Sequence, residues 1–63
     1  MDLFNDSKEV IVLGRSGEIV KYLGSDIFKI RYRDGNITRV YSFRVKEIDF
    51  LGQDVDEFKK AFG

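Results

Sequence analysis

The chain has 63 residues, a formal net charge of zero, six Phe, three Tyr, and neither Cys nor His. That length allows one domain, which buries only about 60% of the surface exposed by its unfolded form. It must be held by packing, because the missing Cys and His remove disulfides, thiolate metal sites and the commonest general base. No stretch approaches the ~20 apolar residues of a membrane helix. The acidic start Met1-Asp2-Leu3-Phe4-Asn5-Asp6 is wrong for a secretory signal, so the expectation is a cytoplasmic protein with no membrane partner and no cofactor.

Residues 1–8 lack periodicity and read as a short arm or a single helical turn, with Leu3 and Phe4 able to dock on the body. Glu9-Val10-Ile11-Val12-Leu13 is apolar, β-branched and too short for a helix. It is the expected first strand, covered on both faces. Gly14-Arg15-Ser16-Gly17 then reads as a loop, residues 18–23 as the second strand and Gly24-Ser25-Asp26 as a turn.

Phe28-Lys29-Ile30-Arg31-Tyr32-Arg33-Asp34-Gly35 carries the clearest pattern. A period of two sets Phe28, Ile30 and Tyr32 on one side of a third strand (27–33), and Lys29, Arg31 and Arg33 on the other. Asp-Gly supplies residues suited to a tight turn at positive φ. A two-residue loop, at Asp34-Gly35 or Gly35-Asn36, brings Ile37, Tyr41 and Phe43 of a fourth strand to the apolar side. It sends Thr38, Ser42 and Arg44 to the cationic side. A three-residue loop would set Arg31 opposite Arg39, and like charges directly opposite are unfavourable. Arg39 falls on the apolar side, where its stem can pack while its head stays wet.

The chain stays extended through Val45, Ile48 and Phe50 as a fifth strand, after a kink over 44–47, and Gly52 ends it. Asp54-Val55-Asp56-Glu57 has capping-box spacing, with Asp54 as N-cap. Acids in the first turn and Lys59-Lys60 in the last suit the helix dipole. Val55, Phe58 and Phe62 form one stripe of a short helix that is expected to close an open end of the barrel. A helix of about two turns needs such packing to persist. The whole chain is read as one domain, 1–63, with the barrel over about 9–51 and the helix over about 54–62.

Catalysis finds no support. Ser7, Ser16, Ser25, Thr38 and Ser42 have no His to activate them. Asp54 and Asp56 are explained by capping. Gly14-Arg15-Ser16-Gly17 lacks the Gly-Lys-Ser/Thr ending of a phosphate loop.

Charge is unevenly spread. Residues 15–46 carry eight Lys or Arg against Glu18, Asp26 and Asp34, a balance of +5, whereas residues 1–14 stand at −2 and residues 47–63 at −3. Alternate residues on a strand lie about 6.8 Å apart, close to two phosphate steps of duplex DNA at about 3.4 Å each. Lys29, Arg31 and Arg33, flanked by Arg44 and Lys46, therefore match a phosphate backbone, with Thr38 and Ser42 adding neutral hydrogen bonds. The plain alternative is a solvated strand face that keeps the domain soluble. Tyr22, Phe28, Tyr32, Tyr41 and Phe43 read first as core. Tyr22, Tyr32 and Tyr41 are candidates at the mouth, for base stacking or a cationic ligand.

Five short strands, tight turns and a terminal helix, running from Val10 to Leu51 with Gly17-Glu18-Ile19-Val20 opening the second strand, resemble the SH3-like small barrels. Tudor and KOW-type domains are the nearest in cadence. The resemblance implies an all-β, five-stranded antiparallel barrel that binds rather than catalyses. It implies RNA or DNA for KOW-like members and modified arginine or lysine tails for Tudor members. The first expectation is a nucleic-acid-binding module using Lys29, Arg31, Arg33, Arg44 and Lys46, with Tyr32 or Tyr41 for stacking. The second is a protein-interaction module, such as a small regulator or inhibitor docking on a larger protein. An edge strand, the first or fifth, is then open to strand addition or homo-oligomerisation.

Overall fold

The structure is a computed structural model, and it describes residues 8–63. The expected N-terminal arm, with Leu3 and Phe4, lies outside the described residues apart from Lys8. The chain is mostly β, with strands β1 (Glu9–Val12), β2 (Arg15–Gly24), β3 (Ile27–Asp34), β4 (Ile37–Arg44) and β5 (Ile48–Asp49). A 3-10 turn, Val45–Glu47, separates β4 from β5, and one helix, α1 (Val55–Phe62), ends the fold. The strands form one antiparallel sheet in the order β4-β3-β2-β1-β5. Its edges, β4 and β5, do not pair with each other, so the sheet is open where the sequence pattern predicts a closed barrel. Among the described residues no helix is long and apolar enough to cross a membrane.

The first hairpin departs from expectation. Its turn is Leu13 and Gly14, at φ 56° and 76°, as a two-residue turn with both central residues left-handed requires. Arg15, Ser16 and Gly17, expected in a loop, instead pair with Val12, Ile11 and Val10. The run 9–13 is also not covered on both faces. Val10 and Val12 are buried, Ile11 is half-buried, and Leu13 is 78% exposed.

The β3–β4 hairpin keeps the expected even loop. Asp34 pairs with Ile37 across Gly35 and Asn36, and the register continues without a break to Ile27 opposite Arg44. Phe43, Tyr41 and Arg39 thus sit opposite Phe28, Ile30 and Tyr32. On the reverse face Ser42, Val40 and Thr38 sit opposite Lys29, Arg31 and Arg33. The β2–β3 pairing slips by one residue at Val20, between Ile19 opposite Ile30 and Lys21 opposite Lys29. That bulge lets Ile19 and Tyr22 face the core although they stand three positions apart.

Val10, Val12, Ile19, Phe28, Ile30, Tyr32, Ile48, Phe50 and Phe58 form the core, with no buried charge among the described residues. Phe50 links the sheet to the helix, its ring 5.6 Å from Phe28 and 5.3 Å from Phe58. Val55 and Phe62 pack beside Phe58, so the predicted helical stripe does cover the core, on one face of an open sheet. Lys59 fastens the helix further through an ion pair to Asp26, Nζ to Oδ1 at 2.8 Å. The Asp54 carboxylate accepts the Asp56 N–H at 2.9 Å. The expected kink is the 3-10 turn, where Glu47 Oε1 accepts the Arg44 N–H at 3.0 Å. The fifth strand is shorter than expected because Val45 belongs to this turn and donates its N–H to the Asp26 carbonyl at 2.8 Å.

Gly17 is where β2 must come close to β3. A Cβ there would stand 2.7 Å from Ile30 Cγ2 and 3.1 Å from Tyr32 Cε1, both in the core. Gly17→Ala is expected to lower unfolding free energy by about 1–3 kcal/mol through overpacking. Chemical denaturation measures this, and an unchanged midpoint would mean that the two strands have room to separate.

Candidate nucleic-acid interface

Alternation along β3 presents Lys29, Arg31 and Arg33 on the sheet face opposite the core, all exposed. Arg44 joins them from β4, opposite Ile27. Lys46, exposed in the 3-10 turn, lines an open hollow of about 610 Å³ with Arg44, Val45, Asp26 and Ile27. The structure therefore gathers Lys29, Arg31, Arg33 and Arg44 on one uncovered face, with Lys46 at its end.

The bulge at Val20 adds Lys21, directly opposite Lys29. Sequence reasoning missed it because strict alternation from Ile19 would turn Lys21 toward the core. The available signal was the three-residue step between Ile19 and Tyr22, which no unbroken strand can keep on one face. Two ammonium groups directly opposite each other repel. No salt bridge to either is formed among the described residues.

Arg31 is different. Its Nη2 and Nε both reach Glu18 Oε1, at 2.7 and 3.2 Å. The hydrogen bond from Arg31 holds the Glu18 carboxyl below its ordinary range, against a smaller opposing push from burial. Glu18 in turn stands opposite Glu9, and Asp49 stands opposite Ile11, so the β1–β5 side of the same face is acidic. Where the two signs meet lies an open hollow of about 370 Å³, lined by Ser16, Glu18, Arg31, Arg33 and Thr38 among others.

The tyrosines are not part of this face. Tyr32 is 3% exposed, and its hydroxyl donates to the Val12 carbonyl at 2.9 Å. The Arg15 guanidinium lies 4.5 Å from its ring centre. Its ring is therefore a core element with a satisfied hydroxyl and is closed to a stacked base. Tyr41 is 44% exposed, but it faces the core side opposite Ile30 and leans on Tyr32 at 5.9 Å. Tyr22 accepts the Asp26 N–H at its hydroxyl, 3.1 Å away.

No family model matches the chain, and no similar curated protein or solved structure was found.

Burial is the main cause that raises the Tyr32 pKa above its ordinary 10.0. A group that holds its proton more tightly when folded stabilises fully below the unfolded value and loses that contribution as pH rises through the folded one. Wild-type protein is therefore expected to lose stability above pH 10.0 by a margin that Tyr32→Phe does not show. At neutral pH the same variant should lose about 1 kcal/mol with the hydrogen bond. Thermal melts of both proteins at neutral and high pH measure the two effects; parallel curves would place the Tyr32 hydroxyl in water.

Proposed function

We propose that this chain is a non-enzymatic module that binds a nucleic-acid backbone through the β3–β4 outer face, and that its open sheet is a member of the SH3-like small barrels. The carrying observation is the grouping of Lys21, Lys29, Arg31, Arg33 and Arg44 on one uncovered face, with Arg31 alone of these ion-paired among the described residues. Thr38 and Ser42, opposite Arg33 and Lys29, supply hydroxyl donors to phosphate oxygens. Among the described residues the face carries no aromatic ring, so the reading is phosphate recognition without base stacking. It predicts little sequence preference and affinity that falls steeply with salt. The SH3-like assignment is supported by consecutive antiparallel strands, tight turns and the terminal helix. Strand addition by a protein partner is the second reading, favoured by the β4 edge, unpaired among the described residues, with Ile37, Val40 and Tyr41 half exposed.

Amide NMR titration with mixed-sequence single- and double-stranded oligonucleotides, at two salt concentrations, tests the first reading. Shifts are expected along β3 and β4 and at Lys21, fading as salt rises. Lys29→Glu with Arg33→Glu should lower the slope of log affinity against log salt by about 2. Glu18→Gln should strengthen binding by freeing Arg31. A spectrum unmoved by either oligonucleotide, or binding indifferent to salt, overturns the reading. Nuclease-resistant capture of one stoichiometric protein would then support the second.

A further inference from the structure

We infer that β4 pairs with β4 of a second copy of this chain, in a two-fold antiparallel register centred on Val40. The inference is independent of nucleic-acid binding and goes beyond it.

The edge is built for pairing. In a hairpin closed by Gly35 and Asn36, Asp34 and Ile37 exchange backbone bonds, and bonding alternates from there. The N–H and C=O groups of Thr38, Val40, Ser42 and Arg44 therefore point away from β3, where no described strand pairs with them. β4 is eight residues long and carries no bulge against β3, whereas the β2–β3 pairing has two irregularities. The chain has no Pro. Among the described residues the devices that ordinarily blunt an edge are absent from β4, apart from its arginines. The opposite edge, β5, has two residues and offers little to pair with.

Apolar exposure collects here as well. Ile37 is 53% exposed, Val40 47% and Tyr41 44%. A continuous two-fold sheet pairs residues of like face, so the axis must pass through one residue of β4. Centring on Arg39 would set that arginine against its own copy and is unfavourable. Centring on Tyr41 leaves Ile37 unmatched within the strand and places Val40 against Ser42. Centring on Val40 sets Val40 against Val40, Ile37 against Phe43, Thr38 against Ser42, and Arg39 against Tyr41. In that register Arg39 meets an aromatic face that a guanidinium favours, and no like charges lie opposite one another.

The cationic faces do not oppose it. Arg31 and its copy would be separated by three strand spacings, about 14 Å, which exceeds the screening length of about 8 Å at physiological salt. With zero net charge, the chain carries no overall repulsion. A single paired edge buries less than the ~1,200 Å² of a standard interface, so the dimer is weak and concentration-dependent.

Sedimentation equilibrium over a concentration series, without nucleic acid, tests the pairing. Wild-type mass is expected to rise from monomer to dimer and stop there. Val40→Lys should raise the dimer dissociation constant at least ~10-fold by setting ammonium against ammonium. Because it also places a cation opposite Arg31 within the chain, circular dichroism of the variant checks that the monomer keeps its fold. Val40→Cys, in a chain with no other thiol, should form a disulfide-linked dimer on mild oxidation. Paired Cα atoms about 5.5 Å apart suit such a bond. Lys60→Cys on the exposed side of α1 should not. A chain that stays monomeric, association unchanged by Val40→Lys, or equal crosslinking at both cysteines overturns the inference. A monomer whose β4 amides shift when an extended peptide is added would assign the edge to a foreign strand instead.

Discussion

The even turn at Gly35 and Asn36 decides which side of the sheet every β4 residue occupies, and most of the molecule depends on that decision. Side chains alternate with a period of two, so one residue more or less in this loop would flip the whole of β4. The cost would be double. Tyr41 and Phe43 would leave the core side, and Thr38, Ser42 and Arg44 would turn toward it. Arg44 would then trade sides with the half-buried Phe43, where a charge loses water without gaining a partner. The cationic row on β3 thus has a structural consequence whether or not it meets a ligand. Lys29, Arg31 and Arg33 oppose any register that would bury them, as Phe28, Ile30 and Tyr32 demand burial of their own face.

Where the sequence was legible, local pattern and tertiary context agreed. β3, its turn, the sidedness of β4, the kink after Arg44, the Asp54 cap and the Phe58 stripe all follow from alternation or capping chemistry within a few residues. Three features did not. Leu13 occupies a left-handed turn position that a bulky residue rarely takes, so it read as the end of a strand. The bulge at Val20 moves Lys21 onto the basic face by shifting the β2–β3 register, which only the partner strand reveals. The edges were also misplaced in part, because β1 lies between β2 and β5 and the second edge is β4. Strand neighbours are a property of the assembled sheet. Tyr32 illustrates the same point at the site. Its hydroxyl suggested a wet mouth, but the Val12 carbonyl satisfies it inside the core.

Asp26 ties the small core to its surroundings. Its carboxylate holds Lys59 of α1, its carbonyl accepts the Val45 N–H, and its own N–H reaches the Tyr22 hydroxyl. One turn residue therefore connects the β2–β3 hairpin, the 3-10 turn and the helix. The Lys59 pair is exposed on its carboxylate side, so its worth lies less in energy than in fixing where the helix lands. Phe50 and Phe58 supply the burial that keeps it there.

The outer face divides by sign, with cations toward β3 and β4 and carboxylates toward β1 and β5. Glu18 and Arg31 sit at the seam and partly cancel each other, leaving Lys29 and Arg33 as the ends of the β3 row that form no ion pair among the described residues. Those two lie four residues apart, about 14 Å along the strand, or roughly four phosphate steps of one duplex strand. On the proposed reading a single copy would touch a backbone at few points, and a chain of zero net charge adds no long-range attraction. Weak phosphate contact of this kind gains from repetition, since a second site held nearby raises effective concentration without new chemistry. A sheet continued through β4 would supply that repetition in the plane of the cationic face. If β4 pairs as inferred, the same edge geometry would make the shallow charge on β3 useful.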